Sequence, residues 1–84
     1  MTDPPLQEKI NNWFRYHPPT ETAERDGMTP ADVGARYERL RDAGKAFAEV
    51  IARETPGCAD QTAAIRHVRE AVFTANAAIA CGGK

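Results

Sequence analysis

The stretch TPADVGARYERLRDAGKAFAEVIARETPGCADQ, residues 29–61, decides the fold. Thr29-Pro30-Ala31-Asp32 is a helix opening. Thr29 can cap, Pro30 at the first position loses no hydrogen bond, and Asp32 in the first turn favours the helix dipole. Val33, Tyr37, Leu40, Gly44, Phe47 and Ile51 then recur at spacings of 4, 3, 4, 3 and 4, a period of 3.5 suited to packing helix on helix. The opposite face carries Glu38, Arg41, Asp42, Lys45 and Glu49. Thr55-Pro56-Gly57-Cys58-Ala59 breaks the pattern, and five residues suit a reversal between antiparallel helices.

Working outward, Asp60 can cap a last helix whose stripe runs Ile65, Val68, Val72, Ala75, Asn76 and Ile79 and stops at Gly82-Gly83. On the other side, Asp3-Pro4 opens a short helix with Leu6, Ile10, Trp13 and Phe14 on one face, and His17-Pro18-Pro19 ends it. Residues 20–27 are polar, without a period, and read as an exposed loop. No β alternation competes. The expectation is an all-α fold over 1–84. It has a short helix at about 4–15, a loop at about 17–28, a long helix at about 30–54, a turn at 55–59 and a helix at about 61–80, the two long helices forming an antiparallel hairpin.

A chain of 84 residues buries only about 60 % of the surface its unfolded form exposes, so it needs support. A disulfide fails on geometry, because Cys58 and Cys81 flank a helix roughly 30 Å long and bridged Cα atoms lie about 4.4–6.8 Å apart. Reduced thiols in the cytosol are expected. A metal is also not expected, since His17 and His67 stand alone and no Cys-x-x-Cys is present. Self-association remains. The seam can use Leu40, Phe47, Ile51, Ile65, Val72 and Ile79, but Trp13, Phe14, Val50 and Phe73 are left needing cover.

Net charge is −1, with 11 Lys and Arg against 12 Asp and Glu, which argues against a DNA, RNA or membrane-surface binder. Arg36, Arg39, Arg41 and Lys45 could still touch nucleic acid, though Glu38, Asp42 and Glu49 dilute that face. No apolar run can span a bilayer, and the first residues do not resemble a signal peptide. Catalysis has little to work with: the chain has no serine and no phosphate loop, and nothing brings either cysteine to His67.

Binding candidates are clearer. Arg41 and Lys45, four apart on one helical face, can hold a phosphate, or instead be ion-paired with Asp42 and Glu49. Tyr16, at a helix end before two prolines, is either a packing anchor or a stacking platform for a nucleobase. His17 is either a structural histidine or a ligand contact. Asn76 interrupts an apolar stripe, where it sets helix register or lines a ligand pocket.

Three blocks carry a resemblance: Trp13-Phe14-Arg15-Tyr16-His17-Pro18-Pro19, residues 36–45 from Arg36 to Lys45, and residues 70–80 from Glu70 to Ala80. Together, over about residues 10–80, the chain resembles the phage anti-CBASS cyclic-nucleotide sponge family, whose helical hairpin is shared with an anti-Thoeris sponge. The resemblance implies a homo-oligomer, a hexamer, in the host bacterial cytoplasm. It would bind cyclic di- and trinucleotides of bacterial immunity without cleaving them, and it requires no cofactor. It also implies that Tyr16 stacks on a base and Lys45 pairs with phosphate, in pockets built between protomers. The sequence departs from the family in a longer stretch between Pro19 and Arg36. It also has Thr74-Ala75-Asn76-Ala77 where some members carry a base-contacting arginine, so Asn76 is the nearest substitute. A second expectation, of a different class, is a phage interaction module that inhibits a host protein through its helical surface.

Overall fold

The computed structural model describes residues 4–84 and contains four helices and, among these residues, no strand: α1 Pro4–Trp13, α2 Pro19–Asp26, α3 Pro30–Glu54 and α4 Ala59–Cys81. The cap expected of Asp3 lies outside the described residues. The helices α3 and α4 form the antiparallel hairpin, α2 packs on α3, and both α1 and α2 reach the end of α4. At 46 × 39 × 15 Å the molecule is a plate one helix layer thick.

The main correction to the sequence reading is α2, which occupies most of the expected loop at 17–28. Its polar composition hides it, because the only residues it buries are the small Thr22 and Ala23. The end signals, however, are complete. Pro18 is the extended N-cap, Pro19 opens the helix, Glu21 sits in the first turn and Arg25 in the last. Gly27 closes it at φ 66, ψ 38, a left-handed conformation glycine adopts without a Cβ penalty, and Met28 N–H bonds back to the Ala23 carbonyl at 2.7 Å.

At the start of α3, Thr29 and Asp32 form a reciprocal capping box, with Asp32 N–H donating to Thr29 Oγ1 and Thr29 N–H to Asp32 Oδ2, both at 3.2 Å. The helix α4 begins at Ala59, two residues before the expected start, because the Cys58 carbonyl already accepts Thr62 N–H at 3.2 Å. Asp60 therefore lies inside the first turn rather than at the cap. Gln61 Nε2 closes the tip of the hairpin by donating to the carbonyls of Ala52 and Thr55 at 3.2 and 3.1 Å.

The four carbonyls at the C-terminal end of α4 are all used. Gly83 N–H takes that of Ala78, Gly82 N–H and Arg25 Nη2 share that of Ile79, Arg25 Nη1 takes that of Ala80, and Asn12 Nδ2 takes that of Cys81. This convergence ties α1 and α2 to the open end of the hairpin. It is also where the fully buried residues lie: among the described residues only Thr22, Ala23, Val33 and Cys81 are buried.

The hairpin seam is thinner than its spacing predicts. Val33, Tyr37, Leu40, Gly44, Ala48 and Ile51 turn inward, while Phe47 remains 58 % exposed. Phe47 and Ala48 lie on opposite edges of this stripe, and the ring of Phe47 falls on an open flank of the hairpin. The helices approach closely at Gly44, where a Cβ would fall 2.5 Å from Val72 Cγ2.

Candidate functional site

Tyr16 is held out on a braced turn. The Arg15 guanidinium donates to both Glu21 carboxylate oxygens, Nη2 to Oε1 at 2.6 Å and Nη1 to Oε2 at 3.0 Å, and Nη1 also donates to the Tyr16 carbonyl at 3.2 Å. That fork holds the Glu21 carboxyl well below its ordinary value, at about 2. His17 lies under the turn with its side chain 5 % exposed. Its Nε2 is 2.6 Å from the Asn12 carbonyl, and since a carbonyl only accepts, Nε2 carries the proton. Its Nδ1 meets Arg15 Nη2 at 3.3 Å, and Cys81 Sγ is 3.8 Å from Nε2. With its backbone fixed from both sides, the Tyr16 ring is 79 % exposed, beside Phe14 at 85 %.

Arg41 and Lys45 share a crevice between α3 and α4 of about 180 Å³. Among the described residues neither makes an ion pair, with Asp42, Glu49 or any other acid. The opposite flank of the hairpin is an open apolar groove of about 640 Å³ lined by Leu40, Phe47, Ile51, Val68 and Val72, with His67 on its edge. Asn76 is half-buried in the seam, and its Oδ1 is buried without a hydrogen-bond partner. Leaving an amide oxygen unpaired costs about 1–3 kcal/mol, which a ligand donor or a second chain could offset.

The sequence-predicted residues thus fall into separate places. Tyr16 and His17 share the turn, but only Tyr16 is accessible. Arg41 and Lys45 share the crevice, and Asn76 lies in the seam about one turn of α4 away. Cys81 touches His17 of the turn and Val72 meets Gly44 beside the crevice, and these two α4 residues are separated by about 14 Å at 1.5 Å per residue. The turn and the crevice are thus separate places in one chain.

The residues not singled out from sequence are Arg15 and Glu21, which brace the turn, and Arg69, which lines the crevice with Phe73, a residue expected only to need cover. Arg69 and Phe73 are four apart on a helix, a spacing that announces a side-chain pair, and the guanidinium does lie 5.9 Å from the ring centroid. Arg15 and Glu21 lie six apart across two prolines, where no regular spacing applies. Cys58 and Cys81 are free, the first exposed at the tip and the second buried. No set of three or more His, Cys, Asp or Glu among the described residues is placed to hold a metal ion, and no described helix is long and apolar enough to cross a membrane.

Comparison with known proteins found no matching curated protein and no matching solved structure. Residues 6–80 match the family described as Acb2/Tad1, hairpin domain, which covers all four helices but the first two residues of α1 and the last residue of α4. By this match over nearly all of its helical hairpin, the chain belongs to the Acb2/Tad1 hairpin-domain family.

Proposed function

We propose that this protein is a phage anti-defence sponge that binds cyclic oligonucleotide messengers of bacterial CBASS immunity, cyclic di- and trinucleotides, and withholds them uncleaved in the host cytoplasm. The family match over residues 6–80 carries the proposal. The geometry supports it with an exposed aromatic platform at Tyr16 and unpaired cations at Arg41 and Lys45, the two chemistries a nucleotide asks for. Stacking contributes about 1–3 kcal/mol per base and each charge-assisted hydrogen bond about 1.5–3 kcal/mol, so a few contacts reach micromolar affinity or better.

The working form is a homo-oligomer, a hexamer by family likeness, with the pocket shared between copies. Two observations support self-association. The exposed surface is 6188 Å², whereas a folded monomer of 9.2 kDa exposes about 4,900 Å². The excess exceeds the roughly 800 Å² that each partner buries in a stable interface. The separation of Tyr16 from Lys45 points the same way, since two chains can bring the Tyr16 of one to the Lys45 of the other.

The test incubates the protein with a panel of cyclic di- and trinucleotides, removes unbound ligand, denatures by heat and analyses the supernatant by chromatography. Intact nucleotide supports sequestration. Degraded product shows an enzyme, and no binding at micromolar concentration refutes the reading for that panel. Tyr16→Ala and Lys45→Ala should each weaken binding while helicity and assembly persist. A stable protein partner recovered from host lysate, with no nucleotide bound, would reassign the exposed faces of Phe14 and Phe47 to host-protein inhibition.

A further inference from the structure

The helix α1 ends without a glycine. Phe14 N–H takes the Ile10 carbonyl, and the carbonyls beyond it depend on partners from elsewhere in the chain. That of Asn12 has two, His17 Nε2–H at 2.6 Å and the Cys81 thiol at 3.9 Å. Asn12 also donates its Nδ2 to the Cys81 carbonyl at 3.3 Å, so one residue joins the end of α1 both to the tyrosine turn and to the last residue of α4. No residue of α1 is buried, which leaves its seating to half-buried side chains and to these polar contacts. The second nitrogen of His17 points the other way. With Nε2 protonated, Nδ1 is an acceptor, and Arg15 Nη2 donates to it at 3.3 Å while Glu21 Oε1 lies 3.5 Å off. The imidazole therefore ties the Asn12 cap to the Arg15–Glu21 fork, and Arg15 passes the tie on to the Tyr16 carbonyl.

We infer that His17 is the positioning residue of the binding site: its Nε2–H tautomer, bonded to Asn12 on one side and to Arg15 on the other, fixes the backbone from which Tyr16 presents its ring. A ring so exposed has few side-chain neighbours, so its direction is set by the backbone beneath it. The His17 ring itself is seated under the turn and does not touch a ligand. Its contribution to binding is preorganisation, which removes the cost of ordering Tyr16 when a base arrives. Only that contribution rests on the reading of Tyr16 as a stacking platform; the fixing of the turn rests on the hydrogen bonds.

Nuclear magnetic resonance of the full chain, combined with titration of the tightest-binding member of the cyclic di- and trinucleotide panel, tests it. In the wild type, long-range proton–nitrogen spectra of the His17 ring should show a protonated Nε2 and a bare Nδ1. His17→Phe keeps a ring but loses both hydrogen bonds. The order parameter of the Tyr16 amide should fall from about 0.85 to below about 0.6, and nucleotide affinity should fall about tenfold. His17→Gln, whose amide can donate to the Asn12 carbonyl as Nε2 does, should restore the order and keep affinity within about threefold of wild type. Because His17 acts through Tyr16, His17→Phe in the Tyr16→Ala background should weaken binding by less than about twofold, whereas a role in general stability leaves the two losses independent. If the wild type binds no nucleotide of the panel, yet Tyr16 order falls in His17→Phe and returns in His17→Gln, the positioning stands and the messenger reading falls. A wild-type ring protonated on Nδ1 with Nε2 bare overturns the inference without any variant. So does an unchanged Tyr16 order parameter in His17→Phe, or affinity that stays within about twofold while that order falls.

Discussion

Replacing Gly44 by alanine isolates the contact that sets the distance between the long helices. A glycine inside a helix is worse than alanine by about 1 kcal/mol, so an uncrowded site gains roughly that much from the substitution. Gly34, in the same helix, has nothing within 4 Å of its would-be Cβ, and Gly34→Ala should stabilise by about 0.5–1 kcal/mol. At Gly44 the added carbon falls 2.5 Å from Val72 Cγ2 and 3.8 Å from Val68 Cγ1. Valine in a helix strongly prefers one χ1 rotamer, so its methyl cannot swing aside freely, and overpacking of this kind costs about 1–3 kcal/mol. The net effect of Gly44→Ala is therefore a loss of about 0–2 kcal/mol, and the two glycines should differ by roughly 1–3 kcal/mol. Urea unfolding followed by far-UV circular dichroism, at one fixed protein concentration so that any self-association contributes equally, gives both numbers. Val72→Ala in the Gly44→Ala background should recover stability, with a coupling of about 0.5–3 kcal/mol. If Gly44→Ala stabilises as much as Gly34→Ala, the helices do not meet where described.

Arg25→Ala removes both side-chain bonds to the Ile79 and Ala80 carbonyls and should lower stability by about 1–3 kcal/mol, with amide exchange rising first in α2 and the last turn of α4. Glu21 has a folded pKa of about 2 against a reference value of 4.5, so its ionised form stabilises the fold fully above about pH 4.5. That contribution disappears as pH falls toward 2, and Glu21→Gln should flatten the fall of Tm across this window. Phe47→Ala should leave helix content in place yet shift sedimentation toward smaller species, since the ring is 58 % exposed in the single chain and is available to a second one. Had Phe47 been fully buried, the same change would have cost about 3–5 kcal/mol and unfolded the chain.

The long helices and the turn between them were readable because their signals are local: a proline, a capping residue and a repeating apolar step. The helix α2 was not, for its eight residues carry no stripe, and its end signals at Pro19 and Gly27 look the same as those of a loop. Placing Phe47 in the seam treated the whole stripe as buried, whereas Phe47 lies at its edge and faces the open groove. For the candidate site, sequence reasoning found the groups that face outward, Tyr16, Arg41 and Lys45. It left His17 undecided between support and contact, and the structure places its ring beneath the turn, bonded to Asn12. The brace from Arg15 to Glu21 and the crevice wall from Arg69 to Phe73 depend on which elements meet, and spacing along the chain does not carry that.

A plate 15 Å thick has almost no interior, and this alters how such a protein can diversify. Its two broad sides share Gly44, Val68 and Val72, so exchanging the charged groups on one side leaves the packing of the other intact. Substitutions at the exposed positions of such a plate therefore change its surface chemistry at little cost in stability.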